Sequence, residues 1–217
     1  ANRTSYKSKR GVGLKKGLDI LAEVGEKFGC AVTTDVHDAR QIEKVKEYID
    51  IIQIPAFLCR QTDLLIEAGK SNLTINVKKG QFLSPWDMEN VANKILSTGN
   101  KKVLLTERGT TFGYNNLVSD MRSLVIMKKT KLPIIFDATH SVQLPGGKGS
   151  SSDGQSKFVS VLAKAAVTTA ISGVFMETHD DPKKAPSDGP NMIPLKKLGK
   201  LIHSIKLYDN LSKNDLI

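Results

Sequence analysis

His140, Glu177 and Asp188 lie far apart in the chain, yet together they make the mixed nitrogen and oxygen donor set that a divalent metal ion prefers. Each also has a plain structural reading. A histidine after a strand is more often satisfied by its neighbours, and acids behind a strand often belong to a solvated loop. The spacing is long, so the three gain meaning only in a fold that gathers strand ends at one rim. Glu177 stands where the apolar run Gly173 to Met176 stops, ahead of His179, Asp180, Asp181, Asp188 and three prolines. Asp35, His37 and Asp137 close other apolar runs and add acid and base groups. Lys78, Lys79 and Arg108 are cations at two successive run ends, and Arg108 sits in Glu107-Arg108-Gly109-Thr110-Thr111, a small-residue turn whose backbone donors can assist an anion. They suit a phosphate or a carboxylate; the alternative is surface lysines and an arginine paired with Glu107.

The elements that must position these residues alternate. Helical spacing covers Leu14 to Phe28, with Gly29 as a stop, and a strand is expected over Ala31 to Val36. Asp38 is a candidate cap for a helix reaching Tyr48, followed by a strand from Asp50 to Ile54. The unit repeats as helix Thr62 to Gly69 with strand Leu73 to Val77, then a helix capped by Ser84 with Pro85 first, running to Leu96, and strand Lys102 to Thr106. Next come helix Leu117 to Lys128, strand Pro133 to Phe136, a Gly- and Ser-rich loop from Pro145 to Gly154, helix Ser156 to Ala170, the strand before Glu177, and a closing helix Leu195 to Leu207. Six apolar strands in strict alternation with helices predict an α/β fold with a parallel sheet. No G-x-G-x-x-G follows a strand, and polar residues close nearly every strand, so a (β/α) barrel is favoured over a doubly wound sheet.

With 217 residues and 40% apolar content, residues 1–217 are expected to form one domain. The two cysteines, Cys30 and Cys59, fit reduced thiols in a cytoplasm, and no run is apolar enough for a membrane span. The net charge of +10 raises nucleic acid as a partner, but only six of the 32 basic residues are Arg and no basic stretch is interleaved with aromatics. Small anionic substrates fit better, with neither nucleic acid nor membrane expected as partner. Gln53 reads either as a ligand-binding amide or as a core amide, and Asn2-Arg3 as binding residues or a frayed terminus.

Several stretches carry a resemblance. Ala-Asn-Arg-Thr-Ser at 1 to 5, Thr-Asp-Val-His at 34 to 37, Gln-Ile-Pro-Ala-Phe-Leu-Cys-Arg-Gln-Thr-Asp at 53 to 63, Asn-Val-Lys-Lys-Gly-Gln-Phe-Leu-Ser-Pro at 76 to 85, Glu-Arg-Gly-Thr-Thr-Phe-Gly-Tyr-Asn-Asn-Leu at 107 to 117, Phe-Asp-Ala-Thr-His at 136 to 140 and Ser-Asp-Gly-Pro at 187 to 190 closely resemble the 3-deoxy-D-manno-octulosonate 8-phosphate synthase family. The resemblance runs the whole chain. It implies a (β/α)8 TIM barrel, usually a homotetramer, condensing phosphoenolpyruvate with D-arabinose 5-phosphate for lipopolysaccharide biosynthesis. By the same resemblance Asn2 and Arg3 hold the sugar phosphate, Arg60 reaches it from a neighbouring subunit, and Asp35 lies near the sugar. Gln53, Lys78 and Arg108 hold phosphoenolpyruvate, and His140, Glu177 and Asp188 bind a divalent ion such as Mn, Fe, Co or Zn. No organic cofactor is expected.

Family members carry about sixty further residues before the position of Ala1, holding the first two barrel strands, a substrate lysine and a position that is Cys in metal-dependent members. The chain is therefore expected to supply about six of eight strand and helix units. Ser-Val-Gln-Leu-Pro-Gly-Gly at 141 to 147 and Ser187 resemble the metal-dependent branch, whereas His179-Asp180 departs from the His-Pro of the family. Two further readings remain: a related synthase using another aldose phosphate, and a phosphometabolite-binding module without turnover.

Overall fold

Short runs such as Ile51-Ile52-Gln53-Ile54 are too brief and too β-branched for helices, and each is followed by an amphipathic helix that carries the chain back to its starting edge. A computed structural model describes residues 5–147 and 152–214. Six strands, β1 (Thr33–Asp35), β2 (Ile51–Ile54), β3 (Thr74–Lys78), β4 (Val103–Glu107), β5 (Ile134–Asp137) and β6 (Gly173–Phe175), pair in chain order and all in parallel. Helix α1 (Leu14–Phe28) precedes β1; α2 (Ile42–Val45), α3 (Thr62–Lys70), α4 (Met88–Leu96), α5 (Met121–Lys128), α6 (Val159–Val167) and α7 (Leu195–Lys213) follow the six strands in turn. This is the expected architecture, a curled arc of a (β/α)8 barrel. Among the described residues no helix is long and apolar enough to cross a membrane.

The two faces of the sheet differ. Ile52, Ile54, Ile75, Val77, Val103, Leu105, Ile134 and Phe136, each at most 1% exposed, join a core with Leu65 of α3, Met88 and Ile95 of α4 and Leu124 and Met127 of α5. Side chains alternate along a strand, so the residues between these point the other way. That opposite face carries Asp35, Gln53, Asn76, Lys78, Thr106 and Asp137. The strands were expected to be apolar throughout; their C-terminal halves instead alternate, because one face lines the site. Across it runs a hydrogen-bonded ladder, in which Gln53 Nε2 donates to Asp35 Oδ1 at 2.7 Å, Asn76 Nδ2 to Gln53 Oε1 at 3.0 Å and Thr106 Oγ1 to Asn76 Oδ1 at 2.6 Å. Asp35, Gln53 and Asn76 stand opposite one another in register.

Several element ends differ from expectation. The strand expected from Ala31 is confined to Thr33–Asp35, and Asp38 caps only a 3-10 turn, Ala39–Gln41, before the four-residue α2. Ser84 does not cap α4: its hydroxyl donates to Asp87 at 2.6 Å, and the helix begins at Met88. Helix α5 starts at Met121 under an Asp120 cap because Leu117–Val118 instead pairs antiparallel with Thr110–Thr111. Helix α6 begins at Val159, behind the 3-10 turn Ser156–Phe158, and α7 runs beyond Leu207 to Lys213.

Replacing Asn76 by Ala leaves the Gln53 amide oxygen and the Thr106 hydroxyl without their partners on the buried side of the ladder. We expect a loss of about 1–3 kcal/mol in urea-induced unfolding. No loss would show that water, rather than Asn76, satisfies those atoms.

Candidate active site

Asp137, the last residue of β5, is fully buried and gathers the polar face around it. Its Oδ1 accepts the backbone N–H of Thr139 (3.2 Å) and of His140 (2.9 Å) and the Thr139 hydroxyl (3.1 Å). Its Oδ2 accepts from Lys78 Nζ and lies 2.7 Å from His140 Nδ1. Desolvation is the largest influence on this carboxyl and favours the proton, but the charges of Lys78 and His140 and the bonds from His140 together hold it far below the usual carboxylate range. A carboxylate only accepts, so Nδ1 carries a hydrogen, and in the neutral imidazole the Nε2 lone pair faces away from Asp137. Phe175 of β6 stands opposite Asp137 in register, and the Lys78 ammonium lies 3.6 Å from its ring centroid.

Just beyond β6, the Glu177 N–H is held by Thr139 Oγ1 at 3.1 Å, which brings its Oε1 to 3.6 Å from His140 Nε2. Asp188 arrives from a later loop in a left-handed conformation (φ 55°, ψ 13°), which aspartate tolerates better than most residues. His140, Glu177 and Asp188 each offer one donor atom, and these atoms all lie within 4.8 Å of one another. The structure thus gathers three residues that the sequence separates. Glu177 Oε2 is buried and accepts no hydrogen bond. Burial first, then the neighbouring charges of Asp188 and Asp137, push the Glu177 carboxyl up, with His140 and Lys78 opposing. An outward imidazole lone pair, an orphaned carboxylate oxygen and a second carboxylate at this separation fit a divalent cation.

The cationic side lies against this cluster. Arg108 follows β4 and is 7% exposed; its Nη2 donates to the His140 carbonyl (3.2 Å) and to Gln143 Oε1 (2.8 Å). Its Nε is buried without a partner. Burial pulls the guanidinium below its ordinary value while Asp137, Asp188, Glu107 and Glu177 push back, and it stays charged as arginine does in proteins. The alternative pairing of Arg108 with Glu107 is not what forms: Glu107 Oε1 instead accepts the backbone N–H of Arg108 (3.0 Å) and Gly109 (2.6 Å). Gly109 sits at φ 89°, a conformation that favours glycine. Lys79 also departs from expectation. It is fully buried, donates to Gly80 O, Leu83 O and Thr110 Oγ1, and lies 3.6 Å from Glu107. One residue along a strand reverses the direction of the side chain, so Lys78 faces the site and Lys79 secures the loops.

Asp35 and Gln53 share the ladder on the site face of the sheet. Arg60 is exposed and has no side-chain partner among the described residues, its carbonyl being taken by Lys94 Nζ at 3.0 Å. His37 donates its backbone N–H to Gln41 Oε1 at 2.9 Å and is not part of the His140, Glu177 and Asp188 group. Asn2 and Arg3 lie outside the described residues. Sequence reasoning missed Thr139, Phe175 and Gln143, which touch the site residues rather than standing at strand ends with an obvious chemistry.

The sequence matches the model of the DAHP synthetase I family over residues 1–213. The chain belongs to the DAHP synthetase I family. Several similar proteins are named 2-dehydro-3-deoxyphosphooctonate aldolase. That of Geobacter sulfurreducens is 58% identical over 213 residues, covering 98% of this chain and 78% of the relative. That of Geotalea daltonii is 59% identical over 213 residues with the same coverage. That of Bartonella bacilliformis is 57% identical over 216 residues, 100% of this chain and 77% of the relative. Membership agrees with the resemblance carried by the motifs, and these relatives are named as enzymes.

Glu177 generates a pH prediction. Its folded-state pKa is raised, so its contribution to stability is complete below the ordinary carboxyl value of 4.5 and is lost as pH rises through the folded value. In chelator-treated protein, Glu177→Gln should therefore be more stable than the parent at neutral pH, with the difference shrinking to nothing below 4.5. Urea midpoints across that range check it; a variant less stable than the parent at neutral pH would show that ionised Glu177 is stabilising.

Proposed function

We propose that this protein condenses phosphoenolpyruvate with D-arabinose 5-phosphate and water, giving 3-deoxy-D-manno-octulosonate 8-phosphate and inorganic phosphate, a cytoplasmic step of lipopolysaccharide biosynthesis. The observation that carries the reading is Arg108: a buried guanidinium with an unpartnered Nε, on the same rim as Lys78 and directly against the His140, Glu177 and Asp188 cluster. An anion held there lies within reach of acid and base groups. The names of the similar proteins supply the substrate class.

In this reading Gln53, Lys78 and Arg108 hold phosphoenolpyruvate. Lys78 spends one of its three donors on Asp137 and keeps two for the ligand, and Arg108 has Nε to offer. Asp35, Asn2 and Arg3 hold the sugar phosphate, and Arg60 reaches it from a neighbouring subunit of a homo-oligomer, with residues 1–217 as one barrel domain. His140, Glu177 and Asp188 hold a divalent ion such as Mn, Fe, Co or Zn, which when bound stabilises charge on an oxygen and lowers the pKa of water. The chain's own groups do the rest. A new carbon-carbon bond joins the methylene carbon of phosphoenolpyruvate to the aldehyde carbon, whose oxygen takes a proton. Water adds at the enol carbon, and one of its protons replaces the one the aldehyde oxygen takes. The other leaves as the new hydroxyl becomes the keto group and goes with the departing phosphate, His140, Glu177 and Asp188 being the groups close enough to relay them. Phosphate then leaves with cleavage of its bond to carbon, and Lys78 and Arg108 meet its charge.

The reading is tested by incubating the protein with both substrates and following phosphate release and the eight-carbon product. Release with erythrose 4-phosphate in preference to arabinose 5-phosphate would point to a related synthase, and phosphoenolpyruvate binding without release would leave a binding module.

Two predictions follow from the assigned roles. Arg108→Ala should weaken phosphoenolpyruvate by about 2–4 kcal/mol and the sugar phosphate far less, since a charge-assisted contact of this kind has no substitute in the same turn; equal weakening of both substrates in calorimetry would sink the assignment. Exhaustive chelation should abolish turnover, and manganese, iron, cobalt or zinc should restore it. Full activity in protein that elemental analysis finds free of metal would leave His140 and the acids as hydrogen-bonding and acid–base groups.

A further inference from the structure

One neutral side chain lies between the cationic side of the site and its acid cluster. Gln143 follows the 3-10 turn His140–Val142 and opens a two-residue strand that pairs antiparallel with Asp153–Gly154. The same segment also holds the residue before it, since Gln155 donates its N–H to the Val142 carbonyl at 3.0 Å. Its amide oxygen accepts from Arg108 Nη2 at 2.8 Å, and its amide nitrogen donates to Asp188 Oδ1 at 2.8 Å. An arginine only donates and a carboxylate only accepts, so the amide has one orientation, and turning it over forfeits both bonds. Arg108 and Asp188 are near enough to feel each other's charge, yet no ion pair joins them.

We propose that Gln143 is a positioning residue that couples the anion site to the acid cluster. This rests on the reading that Arg108 binds phosphoenolpyruvate. The amide holds the guanidinium and the carboxylate apart, where a direct ion pair would take Arg108 from the anion and Asp188 from His140 and Glu177. It also ties their positions together, because each end of the amide is polarised by its charged partner and strengthens the bond at the other end. A shorter or apolar residue lets the two charges collapse onto each other. A glutamate would neutralise Arg108 and repel Asp188.

The test is a double-mutant cycle on phosphoenolpyruvate binding, run in chelator so that no metal contributes in any variant. The four proteins are the wild type, Gln143→Met, Asp188→Gly, which keeps the positive φ of that position, and the double variant. Gln143→Met should weaken phosphoenolpyruvate about tenfold while arabinose 5-phosphate binding changes less than about twofold. The charge of Asp188 acts on the ligand in both backgrounds and cancels in the cycle, so the remaining non-additivity, expected to be at least about fivefold, reads the coupling through Gln143. Effects that multiply to within about twofold overturn the proposal. If thermal melting shows that Gln143→Met does not fold, Gln143→Ser, which removes both bonds without adding a charge, runs the same cycle under the same criteria. A wild-type protein that binds no phosphoenolpyruvate overturns the functional reading and this inference with it, whereas additive variants of a binding-competent protein overturn the inference alone.

Discussion

A carboxylate with no exposure to water has to be compensated, and the site depends on how Asp137 achieves this. An unpaired charge in a protein interior costs several kcal/mol, so β5 can end in Asp137 only if cations and donors surround it. Lys78 comes from β3, the His140 imidazole and two backbone N–H groups from the turn after β5, and the Thr139 hydroxyl completes the set. These partners then have little freedom of their own. The imidazole is fixed in tautomer and direction, the ammonium is drawn over Phe175 of β6, and Thr139 holds the backbone of Glu177. One buried charge thereby orders groups from three strands and sets where the metal-competent cluster can form.

The two-residue period of a strand divides the labour. One face of β2 to β5 is packed to near zero exposure against α3, α4 and α5 and supplies the hydrophobic stabilisation. The other face is polar, and its ladder and charges are affordable only because the first face is so complete. Lys78 and Lys79 show how sharp the division is. They are adjacent and chemically identical, yet one meets the site carboxylate and the other bonds to loop carbonyls and Thr110.

The alternation of strands with helices was legible, because Ile, Val and Leu runs between amphipathic segments leave few topologies for a parallel sheet. The helices at Leu14, Thr62 and Leu195 start as expected, but other helix starts were not legible. Ser84 looked like a cap but found Asp87 first, and Leu117 and Val118 have helical spacing yet pair with Thr110 and Thr111. Local propensity cannot see such partners. At the site, Asp137, His140, Glu177, Lys78 and Arg108 stand out because charged residues at the ends of apolar runs have few structural uses. Asp188 was singled out only as an acid in the loop behind Glu177, since nothing near it in the sequence says that this loop folds back onto His140. Gln143 carries no charge and stands at no strand end of the main sheet, so its two bonds exist only in three dimensions.

The balance of charge in the site connects these features. Lys78 and Arg108 face Asp137, Glu177 and Asp188, so with a neutral imidazole the acids outnumber the cations by one. Such a pocket holds a phosphorylated carboxylate less tightly than its two cations alone would. The structure offers two ways to reverse this. Glu177 can take a proton, which is the direction in which burial and its acidic neighbours already push it. Alternatively, a divalent cation bound by His140, Glu177 and Asp188 turns the excess positive and gives the orphaned Glu177 oxygen the partner it lacks. Only the second leaves Glu177 ionised. An anionic substrate and a cation would then favour each other's binding, and the separation that Gln143 keeps between Arg108 and Asp188 preserves both charges for that use.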